Sequence, residues 1–229
     1  MKYMPTFLRW PGFWVIAFGL LSMVLLLWSI DWSDKGLKQI GFDFGLAILV
    51  SLLVYVLLAW WPERRKKIAL RNYLNSRYEE LVDELIPQYL WACGQHVSSD
   101  VESELKNPLK FREFFKQPFS ESQDRWHAVI NEFNSDSDRL TPVLLALKRF
   151  QTELDVCVTL SAVNIEQGGF ERLRNLSQIL KRTREQAVLS EYDGVKQLCD
   201  FLWTLHTGWS FIYGYTGVDH VKKSITESF

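Results

Sequence analysis

No stretch of this sequence carries a recognisable reaction signature. It has no G-x-x-x-x-G-K to cradle a phosphate, no H-E-x-x-H to hold zinc and no G-x-S-x-G to present a nucleophile. P-loop hydrolysis, H-E-x-x-H proteolysis and α/β-hydrolase chemistry are thereby excluded. No residue is nominated as catalytic, and the chain is not expected to be an enzyme. Cysteine is scarce, at 3 residues, which is no disulfide framework. Cys93 and His96 have half the spacing of a zinc site, but Cys199 and His206 make a loose, unmatched second half. They read as buried structural residues, with no metal or cofactor expected. An excess of one charge is missing too: 26 basic residues meet 27 acidic ones, so no basic balance points to nucleic acid. Strand alternation is absent, and Asp193-Gly194 is the lone hairpin dipeptide. The expected fold class is all-α.

What the sequence does have is apolar length, concentrated at its start. Trp10 to Ile30 and Phe44 to Trp61 carry no charged residue. At ~1.5 Å per residue they would run ~31 Å and ~27 Å, against a hydrocarbon core of ~30 Å. Tryptophan marks their ends: Trp10 and Trp14, then Trp28 and Trp32, then Trp60 and Trp61. An indole is a large apolar ring with one N–H donor, and it settles at the headgroup level. Arg64, Arg65, Lys66 and Lys67 follow the last pair. Basic residues stay on the cytoplasmic side and attract anionic headgroups there. The expected topology is a two-helix transmembrane hairpin over residues 1–61, with spans at 10–30 and 42–61 and a short outer loop at 31–41. Both termini are then cytoplasmic. A buried soluble helix is the rival for the second span. A signal peptide is the rival for the first, disfavoured by an overlong apolar run with no A-x-A-like site.

Each span has a face of its own. Asp43, Ala47, Ser51, Tyr55 and Ala59 recur every fourth position, a stripe of small or polar groups. Gly12, Gly19, Ser22 and Ser29 make a seam on the first span, and Gly41 and Gly45 form a G-x-x-x-G. The plain reading is packing within the hairpin. The sharper one is that several copies assemble with their stripes facing, which puts Asp43 at the outer mouth of a polar path.

Residues 62–229 read as a cytoplasmic helical bundle. Leu70, Leu74, Tyr78, Leu81, Leu85 and Tyr89 form one apolar stripe on a first long helix, which Pro87 should kink near its end. Ser99 is the expected cap of a short helix to Lys106, broken at Asn107-Pro108. Ser120 and Gln123 have the spacing of a capping box for a helix through Phe133. Ser135 to Asp138 reads as a polar loop, and Thr141-Pro142 as a cap followed by proline in the first turn of a helix to about Asn164. Gly168-Gly169 closes the next connection. Lys110, Arg112 and Lys116 alternate with Phe111, Phe114 and Phe115, which is either a core face with a solvated edge or a single-strand binding surface. The aromatic stretch 201–217 is too short for a third span and reads as a core helix, with a partner surface or an interfacial segment as alternatives.

The small outer loop leaves little to sense outside, so a signal would enter from the cytoplasm. This layout, two spans at 10–30 and 42–61 followed by a helical part to 229, resembles the two-transmembrane effectors of bacterial anti-phage retron systems. The resemblance covers the whole chain in size and order, without a shared motif. It implies an oligomeric inner-membrane toxin, restrained by a reverse transcriptase and its branched RNA–DNA product. Infection that disturbs the host's repair nuclease would release it and cause abortive infection. The other reading is a membrane-anchored adaptor or assembly factor that docks a cytoplasmic partner. A lesion-forming hairpin needs the Asp43, Ser51, Tyr55 stripe; an anchor does not.

Overall fold

The computed structural model describes residues 17–24, 35–95, 98–161, 167–189, 191–210 and 214–229. The chain divides into two compact units, Met1–Lys66 and Lys67–Phe229. Nearly all described residues are helical; the exceptions are short turns and two small hairpins.

In the first unit residues 17–24 form helix α1, and α2 runs Lys35–Tyr55. The helix therefore begins earlier than expected: Lys35 to Gly41, read as outer loop, belong to α2. Gly36 and Gly41 weaken a helix only modestly, and the apolar turn that follows carries it. A π-turn, Val56–Trp60, follows α2, and α3 begins at Trp61. Pro62 is the physical cause. It has no N–H for the Leu58 carbonyl and its ring crowds that oxygen. The helix answers by widening, and the Trp61 N–H bonds the Val56 oxygen across the turn. One helix among the described residues, Phe42–Ala92, is long and apolar enough to cross a membrane, and almost none of its apolar window is buried. The first expected span lies outside the described residues except for 17–24.

In the second unit α3 continues to Ala92. Leu74, Tyr78, Leu81, Leu85 and Tyr89 are buried as one face, widened by Val82, Ile86 and Leu90. Pro87 lies inside the helix, which runs on past it. Gly94, at φ 66°, ends it: the Gln95 N–H reaches the Leu90 carbonyl and the Gly94 N–H reaches Trp91. α4 (Ser99–Leu105) is capped by Ser98, not Ser99; the Ser98 hydroxyl accepts from the Val101 N–H. Asn107 caps α5 (Pro108–Phe115), with Pro108 in the first turn.

Two further starts differ from expectation. Ser120 and Gln123 do not form a capping box: Pro118–Ser120 (β1) and Gln123–Asp124 (β2) pair as a hairpin. Asp124 then caps α6 (Arg125–Ser135) by accepting from the His127 N–H. The polar run at Ser135 is no loop either. Asp136 alone separates α6 from α7 (Ser137–Ser161), and its carboxylate accepts from the Asp138 N–H. Pro142 therefore lies inside α7, and the Thr141 hydroxyl donates to the Ser137 carbonyl instead of capping.

α8 is Gln167–Leu189, so Gly168 and Gly169 sit in its first turn; α9 is Glu191–Thr207. The small hairpin Trp209–Ser210 (β3) with Gly214–Tyr215 (β4) follows, then α10 (His220–Ser228), capped by Asp219. α8 packs on α7, α9 and α10, while α5 and α6 pack on α9. One buried cluster joins them, from Leu74 of α3 to Ile225 of α10.

Candidate functional site

The stripe on α2 is open to its surroundings. Asp43, Ala47, Ser51, Tyr55 and Ala59 are all exposed in the single chain. The apolar residues around them are exposed as well, Leu57 at 63% and Leu58 at 76%. A face this apolar, bare on nearly every side, needs a non-aqueous environment or other protein.

The π-turn changes where the stripe leads. Below Tyr55 a backbone bond spans five residues, so the every-fourth-residue register of the stripe is interrupted before Ala59. Arg64 lies one α-turn beyond Trp60 and places its guanidinium 5.2 Å from the indole centre. Arg65 does the same over Trp61, at 5.1 Å. The four basic residues are thus not equivalent. Arg64, Arg65 and Lys66 are exposed, and Lys67 is half-buried.

The small residues behave differently from the stripe. Ser22 and Gly45 are the two buried positions among the described residues of the first unit. The Ser22 hydroxyl donates to the Gly19 carbonyl at 2.8 Å, so it is satisfied within its own helix. Open space surrounds the position a Cβ would take at Gly19. Gly41 lies in α2; Gly12 lies outside the described residues.

The second unit gathers its aromatics around Tyr89. Its ring meets Trp126 and His206 at 5.3 Å and Phe111 at 6.0 Å, edge to face, while Phe111 stacks on His206 at 4.7 Å. Tyr89 Oη and His206 Nε2 are 3.1 Å apart, a buried hydrogen bond. Burial drives the His206 imidazole down to about 3, so it is neutral. Nothing in the sequence paired Tyr89 with His206, which are far apart along the chain; the aromatic setting of His206 was the available signal.

The segment Lys110 to Lys116 resolves into a core face and a charged edge. Phe111 and Phe115 are fully buried and Phe114 half-buried, so the core reading holds for these rings. Arg112 lies over Tyr215 at 4.1 Å and Lys116 over Trp203 at 5.2 Å. Lys116 also pairs with Asp124 at 2.9 Å. Burial works to raise the Asp124 carboxyl, but hydrogen bonds from Lys116 and His127 outweigh it and hold it below the usual range.

Cys93, Cys157 and Cys199 are buried and free. Burial raises the Cys93 thiol, and pushes Cys157 up to about 11 and Cys199 to about 12. All three are protonated and unreactive at neutral pH. Cys199 and His206 lie on the same helix, and His96 is outside the described residues.

A groove of about 460 Å³ runs between α7 and α8, lined by Leu144, Leu145, Val188 and Leu189 with Lys148 and Arg184 at its edge. A scan against protein-family models finds no match to the chain, and searches of curated proteins and of solved structures find none either.

Proposed function

We propose that the chain is a membrane-embedded effector of the abortive-infection kind. Its residues 1–61 insert as a two-helix hairpin with both termini cytoplasmic, and several copies depolarise the inner membrane when the helical part is released by an infection signal. The observation that carries this reading is the α2 surface: a bare apolar helix bearing an exposed polar stripe at Asp43, Ser51 and Tyr55. An apolar exterior supports insertion, and an exposed polar stripe supports assembly of copies around it. Burial at Ser22 and Gly45, both small, supports a second helix against α2. The restraining partner would be a reverse transcriptase with its RNA–DNA product, as the resemblance to retron effectors implies.

The test is membrane potential, read with a voltage-sensitive dye in bacterial cells producing the full chain. Rapid depolarisation with growth arrest is expected. Ser51→Leu with Tyr55→Leu should leave insertion unchanged and abolish the depolarisation. Retained depolarisation would remove the stripe as the lesion-forming face. The groove between α7 and α8 favours a second reading, an anchored adaptor, because its exposed Leu145, Val188 and Leu189 are suited to receiving a partner helix. An intact potential in cells whose membranes contain the protein supports that alternative.

A further inference from the structure

We propose that Arg64 and Arg65, each held over its own indole, form a paired binding site for the phosphate headgroups of anionic phospholipids, and that Lys66 and Lys67 lie outside it. This rests on the reading of α2 as membrane-spanning, but not on what the assembled hairpins do.

The geometry begins with helix direction. Side chains on an α-helix lean toward its N-terminus. A basic residue just past the cytoplasmic end of a span therefore reaches back toward the bilayer. Arg64 and Arg65 do so, each stacking on the tryptophan one turn earlier. That turn is ~5.4 Å of axial rise, so both guanidinium groups lie at the level of the indoles. An indole at a membrane boundary sits among the headgroups, which is the phosphate layer.

Stacking and phosphate binding do not compete. A guanidinium stacks through its flat face and donates N–H bonds through its edge. With its guanidinium carbon held 5.2 Å (Arg64) or 5.1 Å (Arg65) from an indole centre, each side chain has already lost part of its freedom, so less entropy is lost when a phosphate docks in bidentate fashion. Successive helix positions differ by ~100°, so the two groups face adjoining sectors of the helix and reach different lipids. Lys66 is exposed but presents a compact ammonium with no flat face, and Lys67 is half-buried. They add attraction to a negative surface without building a site.

The experiment is native mass spectrometry of the full chain, released from detergent holding equal amounts of phosphatidylglycerol and phosphatidylcholine. Wild type should retain phosphatidylglycerol over phosphatidylcholine by about tenfold. Arg64→Gln with Arg65→Gln should abolish the preference, and Lys66→Gln with Lys67→Gln should keep most of it. Arg64→Lys with Arg65→Lys retains the charge and should still lose several-fold. Equal retention of the two lipids by wild type overturns the proposal. So does an equal loss in the lysine variant, or full retention in the Arg→Lys variant, which would make charge alone sufficient. Millimolar inorganic phosphate should not displace the lipid; displacement would make free phosphate the ligand and overturn it as well. Extraction of the membranes with alkaline carbonate separates the two levels. A chain washed out of the membrane sinks the transmembrane reading together with this site. A chain that stays in but shows no headgroup preference sinks the site alone.

Discussion

His206 shows how one residue ties the fold to pH. It is fully enclosed among Phe111, Tyr89 and their neighbours, with its imidazole held neutral at about 3. An exposed histidine in the unfolded chain takes up a proton below ~6.5. The unfolded state therefore binds more protons than the folded one between ~6.5 and about 3, and stability falls as pH drops through that window. The slope is at most about 1.4 kcal/mol per pH unit. Between pH ~6.5 and ~5 most carboxylates are still ionised, so this is where to look. Urea unfolding followed by near-ultraviolet dichroism should show the midpoint falling with pH across that interval. His206→Phe should flatten the slope. It should also cost about 1–3 kcal/mol at neutral pH, because the Tyr89 hydroxyl loses its buried partner. An unchanged slope in that variant would assign the acid sensitivity elsewhere.

Elements in this chain pack as closely as their glycines allow, and two glycines make opposite predictions. Gly194 lies in α9 where it turns back on α8, and a Cβ there would come 2.1 Å from the Gln186 carbonyl oxygen. Both sides of that contact are backbone, so nothing small can give way. Gly194→Ala should destabilise the second unit by about 1–3 kcal/mol. Gly168, in the first turn of α8, has nothing nearer than an Arg172 nitrogen at 3.8 Å. Gly168→Ala should be neutral or stabilise by up to about 1 kcal/mol. Thermal melts of the two variants check both signs. This difference was not legible in sequence, where Gly168 reads as part of a connection and Asp193-Gly194 as a lone hairpin dipeptide.

The helices themselves were legible, because apolar spacing such as Leu74, Tyr78, Leu81 and Leu85 records which face will be buried. Their starts were not. Ser98 and Ser99, or Ser120 and Asp124, are nearly equivalent caps until the packing fixes the direction of the incoming chain. Asp136 makes the α6–α7 turn alone by bonding its own backbone, where a run of Ser and Asp looks like a longer loop. At the candidate site, the stripe and the basic cluster could be read directly. The π-turn that interrupts the stripe's register could not, although its cause, a proline inside an unbroken apolar helix, was in plain view.

At the scale of the whole molecule the described residues of the two units differ in what they bury. The described apolar residues of the first unit are almost all left unburied, whereas the second encloses a core that begins at Leu74 and ends at Ile225. The ion pairs that tie α3 to other helices also lie beyond Lys67: Asp83 with Lys106, Glu84 with Arg149, and Glu79 with Lys222. Each is exposed and worth little alone, but none depends on the first unit. Val221 and Ile225 seat α10 in the same core, and burial raises the carboxyl of its cap, Asp219, above its usual range. The C-terminal helix is thus fastened within the second unit as well. A chain starting at Lys67 should therefore fold alone, stay in solution, and unfold in one cooperative step with the acid sensitivity set by His206. Sedimentation and dichroism would check it. Aggregation, or loss of the near-ultraviolet signal from Trp126 and Trp203, would mean that the core of the second unit needs the membrane unit to form. A folded soluble second unit would allow a direct competition: if release of this unit controls the hairpin, supplying it in excess should sequester the restraining partner and depolarise cells that carry the full chain under restraint.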